Sequence, residues 1–177
     1  MKFGWRLAFT FAAVAAVALA WSDRNSDAVL AATLPAVSLN VANTGPRQVE
    51  DTTQKAVARD YAAAWQAMAE ALDKNRVDLL AADFVGTAAE KLTAGINQQR
   101  RTGLHQQIVD KGHHVDVVFY SPEGSAMELH DTARLKLQVL DGNKVIHSED
   151  ATVHYVALVT AAESSWKVRL LEAVPSF

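Results

Sequence analysis

The hydrophobic period of this chain changes once, at Gly103, and that change constrains the fold more than any other feature. Upstream of it, Val57, Tyr61, Trp65, Met68 and Leu72 are spaced 4, 4, 3 and 4 residues apart. Such spacing draws one apolar stripe down a helix of 3.6 residues per turn. Downstream, apolar residues recur at every second position, as they do in strands whose side chains alternate between faces. A chain that places its helices first and its strands afterwards predicts an α+β domain, with the helices covering one face of an antiparallel sheet.

The first helix has Asp51, Thr52 and Thr53 as candidate N-caps. A break over Asn75 to Asp78 separates it from a short second helix in "VDLLAADF", which carries Val77, Leu80 and Phe84. After Gly86 a third helix runs through "TAAEKLTAGINQQRR", with Ala88, Leu92 and Ile96 four residues apart and Gly103 just past its end. The strands follow. "LHQQIVDKGHHVDVVFY" ends at Tyr120 and puts Val115, Val117 and Phe119 on one face, and "SPEG" turns the chain. "SAMELHDTARLKLQVL" is the second strand, "DGN" the hairpin signal and "KVIHSEDATVHYVALVT" the third strand. "AAESS" turns into "WKVRLLEAV", where Trp166, Val168, Leu170 and Val174 share a face until Pro175 stops the strand. Three short connections in a row predict antiparallel neighbours, about four strands in all.

Ahead of this domain, Lys2 and Arg6 precede a 15-residue apolar run from Leu7 to Trp21, and the polar "SDRNSD" follows at once. A basic start, an apolar stretch and a polar boundary make a signal peptide or signal anchor of residues 1–21. Ala18-Leu19-Ala20 has the small-x-small form that signal peptidase requires, so cleavage after Ala20 and retention as an inner-membrane anchor are both open. In either case residues 22–50, with Pro35, Gly45 and Pro46 and no sustained period, read as a flexible linker. Residues 51–177 are then the folded domain, exported to a periplasmic or extracellular space.

Helices followed by a bent antiparallel meander resemble the nuclear transport factor 2-like superfamily, a cone-shaped α+β fold. The resemblance covers residues ~52–175. It rests on element order, on Tyr61 and Trp65 in the first helix, on "LLAADFVG", on "DGNKV" in the hairpin and on the terminal "SSWKVRLLEAV". An export segment ahead of such a domain is similar to bacterial inner-membrane proteins whose domain of this type stands in the periplasm. The superfamily also includes ketosteroid isomerases, dehydratases and epoxide hydrolases, so the resemblance implies a fold and leaves the function open.

The residues narrow that choice. With 17 basic against 20 acidic side chains and no Lys/Arg run, the chain lacks the electrostatic footprint of a nucleic-acid binder. It contains no cysteine, which excludes disulfides, thiolate metal sites and a cysteine nucleophile. His114 shares a strand face with Asp116, and His147 with Glu149, yet no metal signature such as H-E-x-x-H accompanies them. No metal site and no cofactor are expected.

Asp131 interrupts the apolar face formed by Met127, Leu129, Ala133, Leu135, Leu137 and Val139. It is either a base in an apolar pocket, the place where enzymes of this superfamily carry a carboxylate, or the mark of a bulge that puts it at the rim. Tyr61, Trp65 and Tyr155 either line a ligand pocket with Asp131 or fill the core. Two functions therefore stand. The first is a non-catalytic envelope domain that binds a protein partner or a second copy, for instance through the partly apolar face of Ile146, Thr152, His154, Val156 and Leu158. The second is an enzyme or carrier for a small apolar ligand, with Asp131 as its candidate catalytic group.

Overall fold

The computed structural model describes residues 34–177; the predicted signal or anchor segment and the first part of the predicted linker lie outside them. Among the described residues, two helices and one short 3-10 turn pack on a single mixed sheet. The elements are β1 (Val37–Asn40), β2 (Gly45–Pro46), α1 (Asp51–Lys74), the 3-10 turn Val77–Leu80, α2 (Gly86–Thr102), β3 (Leu104–Tyr120), β4 (Ala126–Asp141), β5 (Lys144–Ala162) and β6 (Ser165–Val174). The sheet runs β1-β3-β4-β5-β6, with β2 pairing further along β3. Helices packed on one face of a mixed sheet make this an α+β fold, as the order of elements predicts. No helix among the described residues is long and apolar enough to cross a membrane.

The stripe read from the sequence is the buried face of α1: Val57, Tyr61, Trp65, Met68 and Leu72 all lie in the core. They meet Met127, Leu129, Ala133 and Leu135 of β4, Val115 and Val117 of β3, Ala157 and Val159 of β5 and Val168 of β6. α2 adds Ala88 and Ile96 and ends at Gly103, whose left-handed φ of 74° closes the helix. The carboxylate of Asp60 accepts the backbone N–H of Trp166 at 2.8 Å, which ties α1 to the start of β6.

Several expectations need correction, and each has a local physical cause. Part of the predicted linker is sheet: β1 pairs in parallel with His113–Asp116, and β2 with Phe119–Tyr120. Val37, Leu39 and Val41 pack against the core. So short a strand carries no local signal, because its partner lies 76 residues downstream in the pair Asn40–Asp116. The sheet accordingly has six strands and mixed pairing instead of four antiparallel ones. α1 starts after Glu50, whose backbone is extended, and no side chain caps it. The predicted second helix is only the 3-10 turn, and Phe84 beyond it forms an isolated bridge with Val168.

Bulges account for the remaining differences. One extra residue in β3 between Val117 and Phe119 turns Phe119 out to 39% exposure and brings Tyr120 in. Another in β6, between Val168 and Leu170, moves Leu170 off the inner face and sets Leu171 on the core. At Asp131, by contrast, the ladder is regular on both sides, with Val115 and Tyr155 directly opposite. The bulge reading of Asp131 is therefore wrong, and its parity carries it inward.

Leu129 lies at the centre of this core with no exposed surface. Leu129→Ala should lower the unfolding free energy by about 2–5 kcal/mol in denaturant titrations, with little change in slope.

Candidate functional site

Asp131 is 0% exposed, projecting from the middle of β4 beneath α1. Its Oδ2 accepts two hydrogen bonds, from the Tyr61 hydroxyl at 2.9 Å and from Nδ1 of His113 at 2.8 Å. The other ring nitrogen of His113, Nε2, donates to Oδ2 of Asp110 at 2.6 Å. Asp110 in turn accepts the Gly112 N–H through Oδ1 at 2.7 Å. The cluster is thus a chain of tyrosine, aspartate, histidine and aspartate, three of its four members deep in the core.

A bulge assembles it. β3 carries one extra residue between Asp110 and His113, and Gly112 within it has φ 116°, a conformation that suits glycine alone. Asp110 therefore reaches back to the ring of a residue three positions on. Strand β1 fixes the far side, because the His113 N–H donates to the Ala36 carbonyl at 2.9 Å.

Aromatic rings enclose the imidazole. The Trp65 ring lies 4.4 Å from that of His113 at a tilt of 44°, and Tyr61 stands edge-on at 6.1 Å. Tyr155 meets Trp65 edge-on at 5.2 Å. The sequence thus named four members of one assembly, Tyr61, Trp65, Asp131 and Tyr155. It missed His113 and Asp110. A signal for His113 exists in the sequence, since it shares parity with the inward Val115 and Val117, whereas the pair His114 and Asp116 lies on the outer face.

The electrostatics follow from burial and pairing. Burial opposes a charge on His113, but the hydrogen bonds and charges of Asp110 and Asp131 outweigh it and raise its pKa to about 9. The ring is an imidazolium at neutral pH, packed at a tilt against the Trp65 ring. Burial, then the Asp131 charge, holds the Tyr61 hydroxyl well above its ordinary range, so it stays a donor. Tyr155 is raised by the same two causes. Asp131 Oδ1 and Trp65 Nε1 are buried with no partner among the described residues. No three or more His, Asp or Glu side chains there gather to hold a metal, and the two carboxylates of the cluster sit on opposite ring nitrogens.

Two openings come near these residues, and neither reaches the carboxylate of Asp131. His113 borders a cleft of about 520 Å³ beside β1, shared with Ala36, Lys111 and Arg134, but its side chain has no exposed surface, so only its backbone faces that space. Tyr155 borders a cavity of about 450 Å³ between the helices and the far ends of β3, β4 and β5; Tyr61, Trp65 and Asp131 do not line it. The partly apolar outer face of β5 also stands differently from expectation. Phe177 stacks on His130 with centroids 4.4 Å apart and sets its edge on His154 at 5.1 Å, which covers part of it.

No protein-family model and no curated protein matches the chain in sequence. Solved structures do resemble it. The intermembrane space region of chloroplast protein ARC6 is 16% identical, with 74% of this chain and 100% of that one aligned at a TM-score of 0.61. Aln2 from a Streptomyces species is 14% identical over 72% of this chain and 94% of its own, at a TM-score of 0.46. A protein of unknown function with a cystatin-like fold from Nostoc punctiforme is 15% identical over 73% and 97%, at 0.43. At these identities the likeness speaks to fold alone.

The raised pKa of His113 has a consequence for stability. A histidine gains its proton near pH 6.5 when unfolded and here holds it to about 9. The stabilisation is complete below about pH 6.5 and is lost as pH rises through 9, a loss on the order of a few kcal/mol. Chemical denaturation from pH 6 to 10 should show that decline. Nitrogen-15 NMR of the ring should place the His113 titration near 9 and lower it in Asp131→Asn.

Proposed function

We propose that this chain is an exported or membrane-anchored binding domain without catalytic activity, acting in the cell envelope through protein–protein interaction or self-association. One observation carries the reading: the acid–base cluster is buried and its imidazole is fully engaged. Both nitrogens of His113 are engaged by carboxylates, Asp131 has no accessible surface, and the Trp65 ring covers the imidazole. A general base needs a substrate proton within about 2.6–3.2 Å, and among the described residues Asp131 has no exposed surface to meet one. The cluster reads as a structural device that orients α1 on the sheet.

The outer face of the sheet supports the binding half of the proposal. Val156, Leu158, Leu170 and Val174 project from neighbouring strands on the side away from the helices, each only partly buried. Apolar side chains left partly exposed on a sheet face are a common basis for association. The basic and apolar N-terminal pattern supports export, and the likeness to an intermembrane-space region fits an envelope setting. The competing function, an enzyme with Asp131 as base, would need the carboxylate to meet solvent, and among the described residues it borders neither of the two neighbouring openings.

A photo-crosslinking residue at position 158 of the full chain, expressed in an exporting bacterial host, tests this. Adducts to a second copy or to a defined envelope protein are expected, and they should persist in His113→Gln provided that variant folds. Absence of adducts at 158, together with turnover of a small substrate that is lost in His113→Gln, would replace the proposal with the enzyme.

A further inference from the structure

We propose that the free edge of β5 takes up an extended strand from a partner protein, running antiparallel to residues 147–153 and carrying a basic side chain opposite Glu149. The proposal rests on the reading of the chain as a binding domain and names a contact separate from the outer face around position 158. β5 is 19 residues long, but β6 pairs with it only from His154 onward. Over residues 144–153 it is bonded to β4 alone, and among the described residues no helix or further strand covers its open side. Residues 144–150 are exposed on both faces of the sheet, Val145 and Ile146 among them. Alternate residues of such an edge present N–H and C=O groups outward, a template on which another strand can add.

The two ends of this stretch and its charges define the occupant. A bulge closes it at the hairpin end, since Val139 faces His147 and Leu140 faces Val145, which leaves Ile146 as the extra residue. The end of β6, where Val174 faces His154, closes it at the other. The regular positions between are 147–153, and Asp150 is their midpoint. A second copy pairing antiparallel over that length would set Asp150 against Asp150, and like charges directly opposite each other destabilise a sheet. The occupant is therefore a different chain. Toward the helices the edge shows His147, Glu149, Ala151 and Val153, the partners of Val139, Leu137, Leu135 and Ala133 of β4. Asp150, on the other face, is already paired with Lys111 at 2.5 Å. Glu149 has no lysine or arginine among the described residues, its one basic neighbour being Nε2 of His147 at 3.7 Å. The complementary strand thus carries a lysine or arginine opposite Glu149 and apolar side chains opposite Ala151 and Val153.

A fluorescently labelled peptide of alternating valine and threonine with lysine in fifth place, Val-Thr-Val-Thr-Lys-Thr-Val, sets that lysine opposite Glu149 when it lies antiparallel along the edge. In anisotropy titrations with the full-length chain in detergent it should bind at least about threefold more tightly than the same peptide with glutamate in fifth place. Glu149→Lys should reverse that order while the melting temperature holds, since the side chain is exposed. Methylation of alternate peptide nitrogens separates strand addition from mere adhesion, because only one alternate set of N–H groups faces β5. Methyl groups on that set should weaken binding about tenfold or more, and on the other set should leave it within about threefold. No binding, equal loss from both methylated sets, or a lysine preference that survives Glu149→Lys would overturn the proposal. None of these outcomes alters the adducts expected from position 158, whose loss would instead overturn the binding-domain reading itself.

Discussion

A single carboxylate with no access to water, Asp131, is what the rest of the interior is arranged to satisfy. A carboxylate so buried is tolerated only when it is paired and hydrogen-bonded. Two elements supply partners to its Oδ2: α1 gives Tyr61, and β3 gives His113 and, through it, the second carboxylate of Asp110. The helix cannot slide along the sheet without withdrawing the Tyr61 hydroxyl, and β3 cannot shift register without withdrawing the imidazole. Apolar packing supplies most of the stabilisation, but it is permissive about position. The hydrogen-bonded chain fixes one arrangement of helix on sheet.

The bulges of β3 and β6 do complementary work. Strands of 16 to 19 residues, as β3, β4 and β5 are, exceed the usual length and must bend to follow a cone. Each extra residue permits a bend and also exchanges the faces beyond it. At Gly112 that exchange is used to bring Asp110 to His113; at Val118 it turns Phe119 outward and Tyr120 inward. Curvature of the sheet and composition of the buried cluster thus have a common origin.

How much of this was legible in the sequence follows from the same physics. Long elements with a sustained period, α1 and the four long strands, were readable because every residue repeats the message. Asp131 was recognisable as an anomaly within an apolar face, and the aromatic residues around it were named from parity and helical spacing. What escaped was whatever depends on a residue being inserted or on a distant partner. Bulges add one position without changing composition, so Phe119 and Leu170 were placed on the wrong faces. Strand β1 is four residues long and gains its identity only from β3. Asp110 escaped for both reasons, since its contact with His113 exists only because of the bulge.

The parallel pairing of β1 with β3 imposes an order of events on folding. Residues 37–40 are among the first of the domain to be synthesised, yet their partners, 113–116, come after both helices. Closing a contact over such a distance carries a loop entropy that the helices and the β3–β4 hairpin, being local, largely avoid. The N-terminal strand must therefore wait, extended and unpaired, until β3 has formed, and it then completes the backbone bond from His113 to Ala36. The first piece of the sheet to emerge thus stays unpaired until β3 follows it, and the backbone bond beside the polar centre closes only then.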